Sequence, residues 1–227
     1  MSGMKRHKAE SSYPRGEETR AKIIATAISL FGQKGFAGVT TREIATAAGV
    51  PAPSLQYYFE NKEGLYRACI EHFQTSITEA IRPALDLADE RMAAEAEPDL
   101  LIDAYCKILE SLADFLFGSP DAASRALFIA QLRRSGAPKV ETKRSMGKQI
   151  QRICAAIVSR IGKDLKSDEA ILIATTINGQ LFVIHLVQEH IEDLMGWDEI
   201  TPERLESIKT VIRRQTTAVL EGYGAGG

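Results

Sequence analysis

Apolar side chains along this chain recur at intervals of three and four residues and rarely alternate with polar ones, which is the period of helices packed by one face. The first stripe, Ile24, Ala27, Ile28 and Phe31, predicts a helix from about Glu17 to Lys34, with Gly35 placed to stop it. Thr40-Thr41-Arg42-Glu43 then has the S/T-x-x-E form, in which hydroxyl and carboxylate satisfy reciprocal backbone amides, so a second helix starts at Thr40 and turns Ile44, Ala45 and Ala48 inward. Gly49 supplies a tight turn, and Pro51 and Pro53 hold back the next helix until Ala52 or Pro53. That third helix is short and ends at Phe59. Asn61 is placed to cap a fourth, which carries Leu65, Ala68, Cys69 and Phe73 toward Pro83, where the missing amide is expected to end or kink it.

Further starts are signalled by Pro98-Asp99, Ser119-Pro120-Asp121, Pro138, Ser167-Asp168-Glu169 and Thr201-Pro202-Glu203, each pairing a cap or a first-turn proline with early acids. Stops fall at Gly118, Gly136, Gly162, Gly196 and Gly222. The expected fold is all-α, with about nine helices. From Ser167 to Ile191 the pattern is apolar nearly all round, more than one chain's core can hide, and the last helix adds Leu205, Ile208, Val211, Ile212, Val219 and Leu220. These two helices are expected to form the four-helix seam of a homodimer, with Ile177, Leu181, Ile184, Ile208, Ile212 and Val219 as its contacts. A two-layer core inside a monomer is the alternative. Ile171 to Val187 is short for a membrane span and carries Thr175, Thr176, Asn178, Gln180 and His185, so a buried helix fits better and no membrane is expected.

Composition adds a bound and charge adds an asymmetry. With 227 residues, 44% of them hydrophobic, the chain can bury one large or two small cores. The net charge of -2 divides unevenly: residues 1–62 hold nine Lys and Arg against five Asp and Glu, the remainder nineteen against twenty-five. A basic head on an acidic body suits a phosphate backbone. Cys69, Cys106 and Cys154 stand far apart and make no metal-ligand spacing, so reduced thiols, no metal and no cofactor are expected. The basic N-terminus lacks the apolar run of a secretory signal, so a cytoplasmic location is expected. His7, His72, His185 and His190 are unclustered and no nucleophile-elbow, zinc-protease or nucleotide-binding motif occurs, so the chain does not read as an enzyme and has no catalytic residue to offer. Domain organisation follows as a mobile arm over 1–16, a head over 17–62 and a body over 63–227.

A two-turn helix, a glycine turn and a second short helix form the layout of a DNA-binding helix-turn-helix, although a plain helical hairpin in a core has the same outline. The short helix distinguishes them, because Ser54, Gln56, Tyr57 and Tyr58 crowd hydrogen-bonding side chains of groove length beside one another, and only Leu55 and Phe59, four apart, are committed to packing. A helical protein-interaction module with a degenerate head is the competing class.

The run from Ile24 to Phe36, then Thr40 to Ala45, Ala48-Gly49-Val50, Leu55-x-Tyr57-Tyr58-Phe59 and Asn61-Lys62-Glu63-x-Leu65, resembles the TetR family of transcription regulators over about fifty residues. Phe128-Ile129 before Arg133 and Pro138, and Leu194-Met195-Gly196-Trp197, are similar to the CecR-like subgroup. The resemblance implies a repressor that binds a palindromic double-stranded operator as a homodimer and is released by a small-molecule effector of unknown identity. It implies phosphate contacts for Thr40, Thr41, Arg42, Tyr57, Tyr58 and Lys62, and base edges for Ala52, Pro53, Ser54 and Gln56. Gln56 departs from the family, which usually has Tyr there, so the operator does not transfer from relatives. The resemblance also implies an effector site in the body, for which Tyr105, Phe115, Phe128, Arg133, Asn178 and His185 are the candidates. Each has the alternative of a satisfied core or surface residue. Release would tilt the fourth helix, with Gly64 and Pro83 as points of give.

Overall fold

Residues 12–119, 121–132 and 146–225 are described by the computed structural model, and among them the chain forms ten helices and no strand. They are α1 (Ser12–Lys34), α2 (Thr41–Ala47), α3 (Ala52–Phe59), α4 (Lys62–Ala93), α5 (Pro98–Phe117), α6 (Ala122–Leu132), α7 (Met146–Ile161), α8 (Ser167–Leu186), α9 (Gln188–Met195) and α10 (Pro202–Gly224). Most of the arm expected over 1–16, and the signals at Pro120, Gly136 and Pro138, lie outside the described residues, as does Arg133.

Three helix boundaries differ from the pattern's prediction. Helix α1 begins at Ser12 rather than Glu17, because Pro14 falls in its first turn, where amides have no helical partner to lose. Helix α4 does not end at Pro83 but continues to Ala93. An internal proline costs about 3 kcal/mol, and the neighbouring Ile81, Ala84, Leu85 and Ala88, all buried, supply packing to offset it. The apolar stretch predicted as one helix breaks at Val187, whose backbone (φ −110°, ψ 26°) leaves helical geometry, and α9 is the additional element.

The described chain divides into two compact units: residues 12–72 with 127–132, and residues 73–119 and 121–126 with 146–225. The first, the head, is therefore larger than the 17–62 expected. Its core joins Ile24, Ala27 and Phe31 of α1 to Ile44 and Ala45 of α2, Leu55 and Phe59 of α3, and Leu65, Tyr66 and Cys69 of α4. Tyr66 lies at its centre, edge-on to Phe31 at 5.1 Å, Phe36 at 5.0 Å and Phe128 at 5.6 Å. Phe128, taken from the sequence as an effector-site candidate, is thus fully buried in the head's core. Gln131 of the same helix donates to the carbonyl of Gly32 at 3.3 Å.

The second unit, the body, packs α5, α7, α8 and α10 around Tyr105, Ile108, Ile157, Ala174, Ile177 and Leu220. Its surface carries an ion network: Arg213 donates to Glu110 at 2.6 Å and to Asp103 at 2.9 Å, and Arg91 donates to Asp103 at 2.8 Å. Partial burial pushes the Asp103 carboxyl upward, but the hydrogen bonds from Arg91 and Arg213 outweigh that and hold it below its ordinary value.

Candidate nucleic-acid interface

The capping pattern at Thr40 forms as written. Its hydroxyl accepts from the Glu43 amide at 3.2 Å, and Glu43 accepts from the Thr40 amide at 3.4 Å, which sets the start of α2. Glu43 also pairs with Lys34 at the end of α1, and that hydrogen bond, with the one from Thr40, holds its carboxyl below the ordinary range. After α2, Gly49 takes a left-handed conformation (φ 64°) that a side chain would strain, and the Val50 amide closes the turn on the Ala45 carbonyl at 3.0 Å. Pro51 caps α3 from outside and Pro53 occupies its first turn.

On α3 the short helix divides its faces as its sequence suggested. Leu55 and Phe59 enter the head's core, Ser54 and Tyr58 are half-buried, and Ala52, Pro53, Gln56 and Tyr57 are exposed. Tyr57 leaves 84% of its surface open, too much for a ring held by packing. Its neighbour Tyr58 meets it edge-on at 5.2 Å. Arg20 of α1 covers the outer face of Phe59 at 5.3 Å, and the Lys62 ammonium rests 4.4 Å above the Phe36 ring, which positions its charge without neutralising it.

Between the start of α2 and the body of α3 lies an open groove of about 730 Å³, lined by Thr40, Thr41, Ala52, Pro53, Gln56 and Lys62 together with Ala37, Val39, Leu55, Glu60 and Asn61. Six of the ten positions expected to touch nucleic acid are thereby brought together. Arg42, which is exposed, and Ser54, Tyr57 and Tyr58 lie outside it. Glu60 was not anticipated. It takes a left-handed backbone (φ 61°) between α3 and α4 and puts a negative charge in the groove, a feature its position after Phe59 could have signalled.

Comparison with known proteins agrees with this geometry. Residues 23–69 match the family described as bacterial regulatory proteins, tetR family, and residues 101–223 match the C-terminal domain of the HTH-type transcriptional dual regulator CecR. The chain belongs to the TetR family, with a C-terminal domain of the CecR type. The CecR regulator of Shigella flexneri is 28% identical over 92% of this chain and 94% of its own length. A probable regulator of Bacillus subtilis, YttP, is 35% identical, but over only 40% of this chain and 42% of its own. Among solved structures, a TetR-family regulator from Mesorhizobium loti superposes with a TM-score of 0.52 at 18% identity, covering 93% of this chain and 97% of that one. A γ-butyrolactone receptor superposes with a TM-score of 0.53 at 20% identity, covering 90% and 99%.

The Tyr105 hydroxyl donates to Asn178 at 3.0 Å and Asn178 donates to Gln151 at 3.1 Å, so both are satisfied core residues. Cys154 is buried beside them, and burial pushes its thiol up to about 12, which keeps it unreactive. Phe115 packs edge-on against Phe73 at 5.6 Å. His185 is buried against Phe117 at 5.5 Å, and burial lowers its pKa, helped by Arg125.

The six seam candidates also divide. Ile177, Leu181, Ile208 and Ile212 are buried in the chain's own core, Ile184 packs partly against it, and Val219 is exposed. A side chain already enclosed by its own fold has no surface left for a partner. The apolar side chains that α8 and α10 do leave in the open include Ile171, Leu172, Val183, Leu186, Val211 and Val219, with Leu172 65% and Leu186 63% exposed. By length and composition alone α8 could cross a membrane. In the fold, Gln151 donates to its Thr175 at 2.9 Å and Tyr105 to its Asn178, so these two polar positions have protein partners.

Proposed function

We propose that this chain binds a palindromic DNA operator as a homodimer in the cytoplasm, acts chiefly as a repressor, and is released by a small-molecule effector held in the body. The observation that carries the reading is the division of α3: Leu55 and Phe59 fasten the helix, while Gln56, Tyr57, Ala52 and Pro53 stand open beside the groove. An unreleased polar and aromatic edge of this kind fits the major groove, where an amide can serve an adenine and a proline or alanine can meet a thymine methyl. Thr40, Thr41, Arg42, Tyr57, Tyr58 and Lys62 would hold phosphates around it, with Ser54 at the margin of the reading edge.

The open apolar positions on α8 and α10 support the dimer, since patches of this kind on a regulator with paired half-sites are covered by a second copy. Release requires an effector that prefers the state unable to bind DNA, and operator must then weaken effector by the same factor. Helix α4 contributes Leu65 and Cys69 to the head's core and Ile81 and Leu85 to the body's, so one continuous element belongs to both units. Gly64, expected as a point of give on that helix, is instead closely packed against Phe59.

Selection of bound fragments from genomic DNA, followed by salt titration on the strongest one, tests the reading. Tight binding with a log–log salt slope of several units is expected. A chain that ignores DNA at low salt would be a protein-interaction module with a spent head. Screening small molecules for release of that fragment then addresses the effector.

A further inference from the structure

In the body, α5 ends and α6 begins around a positive charge that has no counter-ion among the described residues. Arg125 donates through Nη2 to the Phe115 carbonyl at 2.6 Å and to the Ser119 hydroxyl at 2.5 Å, and its guanidinium lies 4.6 Å above the Phe115 ring. All three partners are neutral. Its Nε is buried and unpartnered, and Asp121 acts on it only at a distance. The imidazole of His185 is 6% exposed, and neither of its ring nitrogens has a hydrogen-bond partner among the described residues. A half-buried guanidinium with its Nε enclosed and unpartnered and a buried imidazole without any partner are each costly, and because the charge of Arg125 is felt at His185, one ligand can satisfy both.

We propose that Arg125 and His185 form the anionic subsite of the body, taking the carboxylate of a small organic acid whose hydrocarbon part packs on Phe115 and Phe117. This rests on the effector reading above and narrows it to one chemical class. One carboxylate oxygen takes the Nε–H of Arg125 and the other takes an N–H of His185, which a carboxylate does and a neutral isostere does less well. Tyr105 and Asn178 take no part, since they satisfy each other.

Sodium benzoate and benzamide, alike in shape and unlike in charge, test it on the full chain by NMR of the His185 imidazole, assigned with His185→Gln. Benzoate is expected to move that resonance saturably, and benzamide to bind about tenfold more weakly or worse. Arg125→Met should weaken benzoate about tenfold, with Arg125→Lys intermediate and circular dichroism unchanged. Equal binding of the two probes to the unmodified protein, no saturable shift with benzoate, or unchanged affinity in a folded Arg125→Met would each overturn the proposal. Operator affinity measured alongside separates the two readings. Benzoate that binds here and leaves DNA untouched would refute release while this subsite stands, and an uncharged releaser that never moves His185 would refute the subsite alone.

Discussion

A Cβ atom on Gly64 would stand 2.2 Å from the carbonyl oxygen of Phe59, so the first turn of α4 can close on the end of α3 only through a glycine. Asn61 completes the junction by accepting the Gly64 amide at 2.8 Å. Phe59 itself is a core residue of the head, and moving its carbonyl would disturb the helix that carries Gln56. Gly64→Ala is therefore expected to destabilise the head by roughly 1–3 kcal/mol, as overpacking does. Thermal unfolding checks this, and an unchanged midpoint would mean that the junction yields freely.

Gln56→Ala and Lys62→Ala should fail in different ways. The exposed amide of Gln56 is expected to cost about 1–3 kcal/mol at one operator position and little on random DNA. Lys62, aimed from the Phe36 ring, should weaken every sequence and reduce the salt slope by about one unit. Fluorescence anisotropy on operator and scrambled duplexes measures both, and equal losses on the two duplexes for Gln56→Ala would remove its reading role.

Burial separates two kinds of substitution on α8. Leu172→Glu, at an open position, is expected to turn a dimer into a folded monomer in sedimentation experiments, with the helical signal retained. Ile177→Ala, in the core, should instead lower stability by about 2–5 kcal/mol and leave the assembly state alone. A dimer that survives Leu172→Glu and Leu186→Glu together would place the seam elsewhere.

Acid sensitivity should carry a signature of His185. Its pKa is lowered in the fold by burial and then by Arg125, from an ordinary value of 6.5. The unfolded chain therefore takes up the proton first as pH falls, so the stability tied to neutral His185 is complete above about 6.5 and is lost as pH drops through the folded value. His185→Phe, which cannot titrate, should flatten the fall in melting temperature as the pH drops below about 6.5. The same slope in both proteins would mean that another group governs it.

Much of the head is legible in the sequence, because its signals are local. The Thr40–Glu43 box, the left-handed Gly49, the proline pair and the four-residue spacing of Leu55 and Phe59 each act within one turn of backbone, and each appears where the pattern puts it. Pro83 was misleading for the opposite reason. Its local cost is real, but its neighbours Ile81, Ala84 and Leu85 join a core whose other members come from far along the chain.

What the sequence by itself determined is the all-α class, the turn between α2 and α3, and which side chains of α3 remain free to touch something else, since all of these follow from backbone hydrogen bonding and helical period. Tertiary structure alone decided that Phe128 belongs with Tyr66 in the head, that Ile177 and Ile212 are spent on their own core while Leu172 is not, and that the Arg125 Nε and both His185 nitrogens are enclosed without a partner among the described residues. A helix that is apolar on every side does not encode which side meets its own chain, because the hydrophobic effect has no direction, and only the packed fold assigns one.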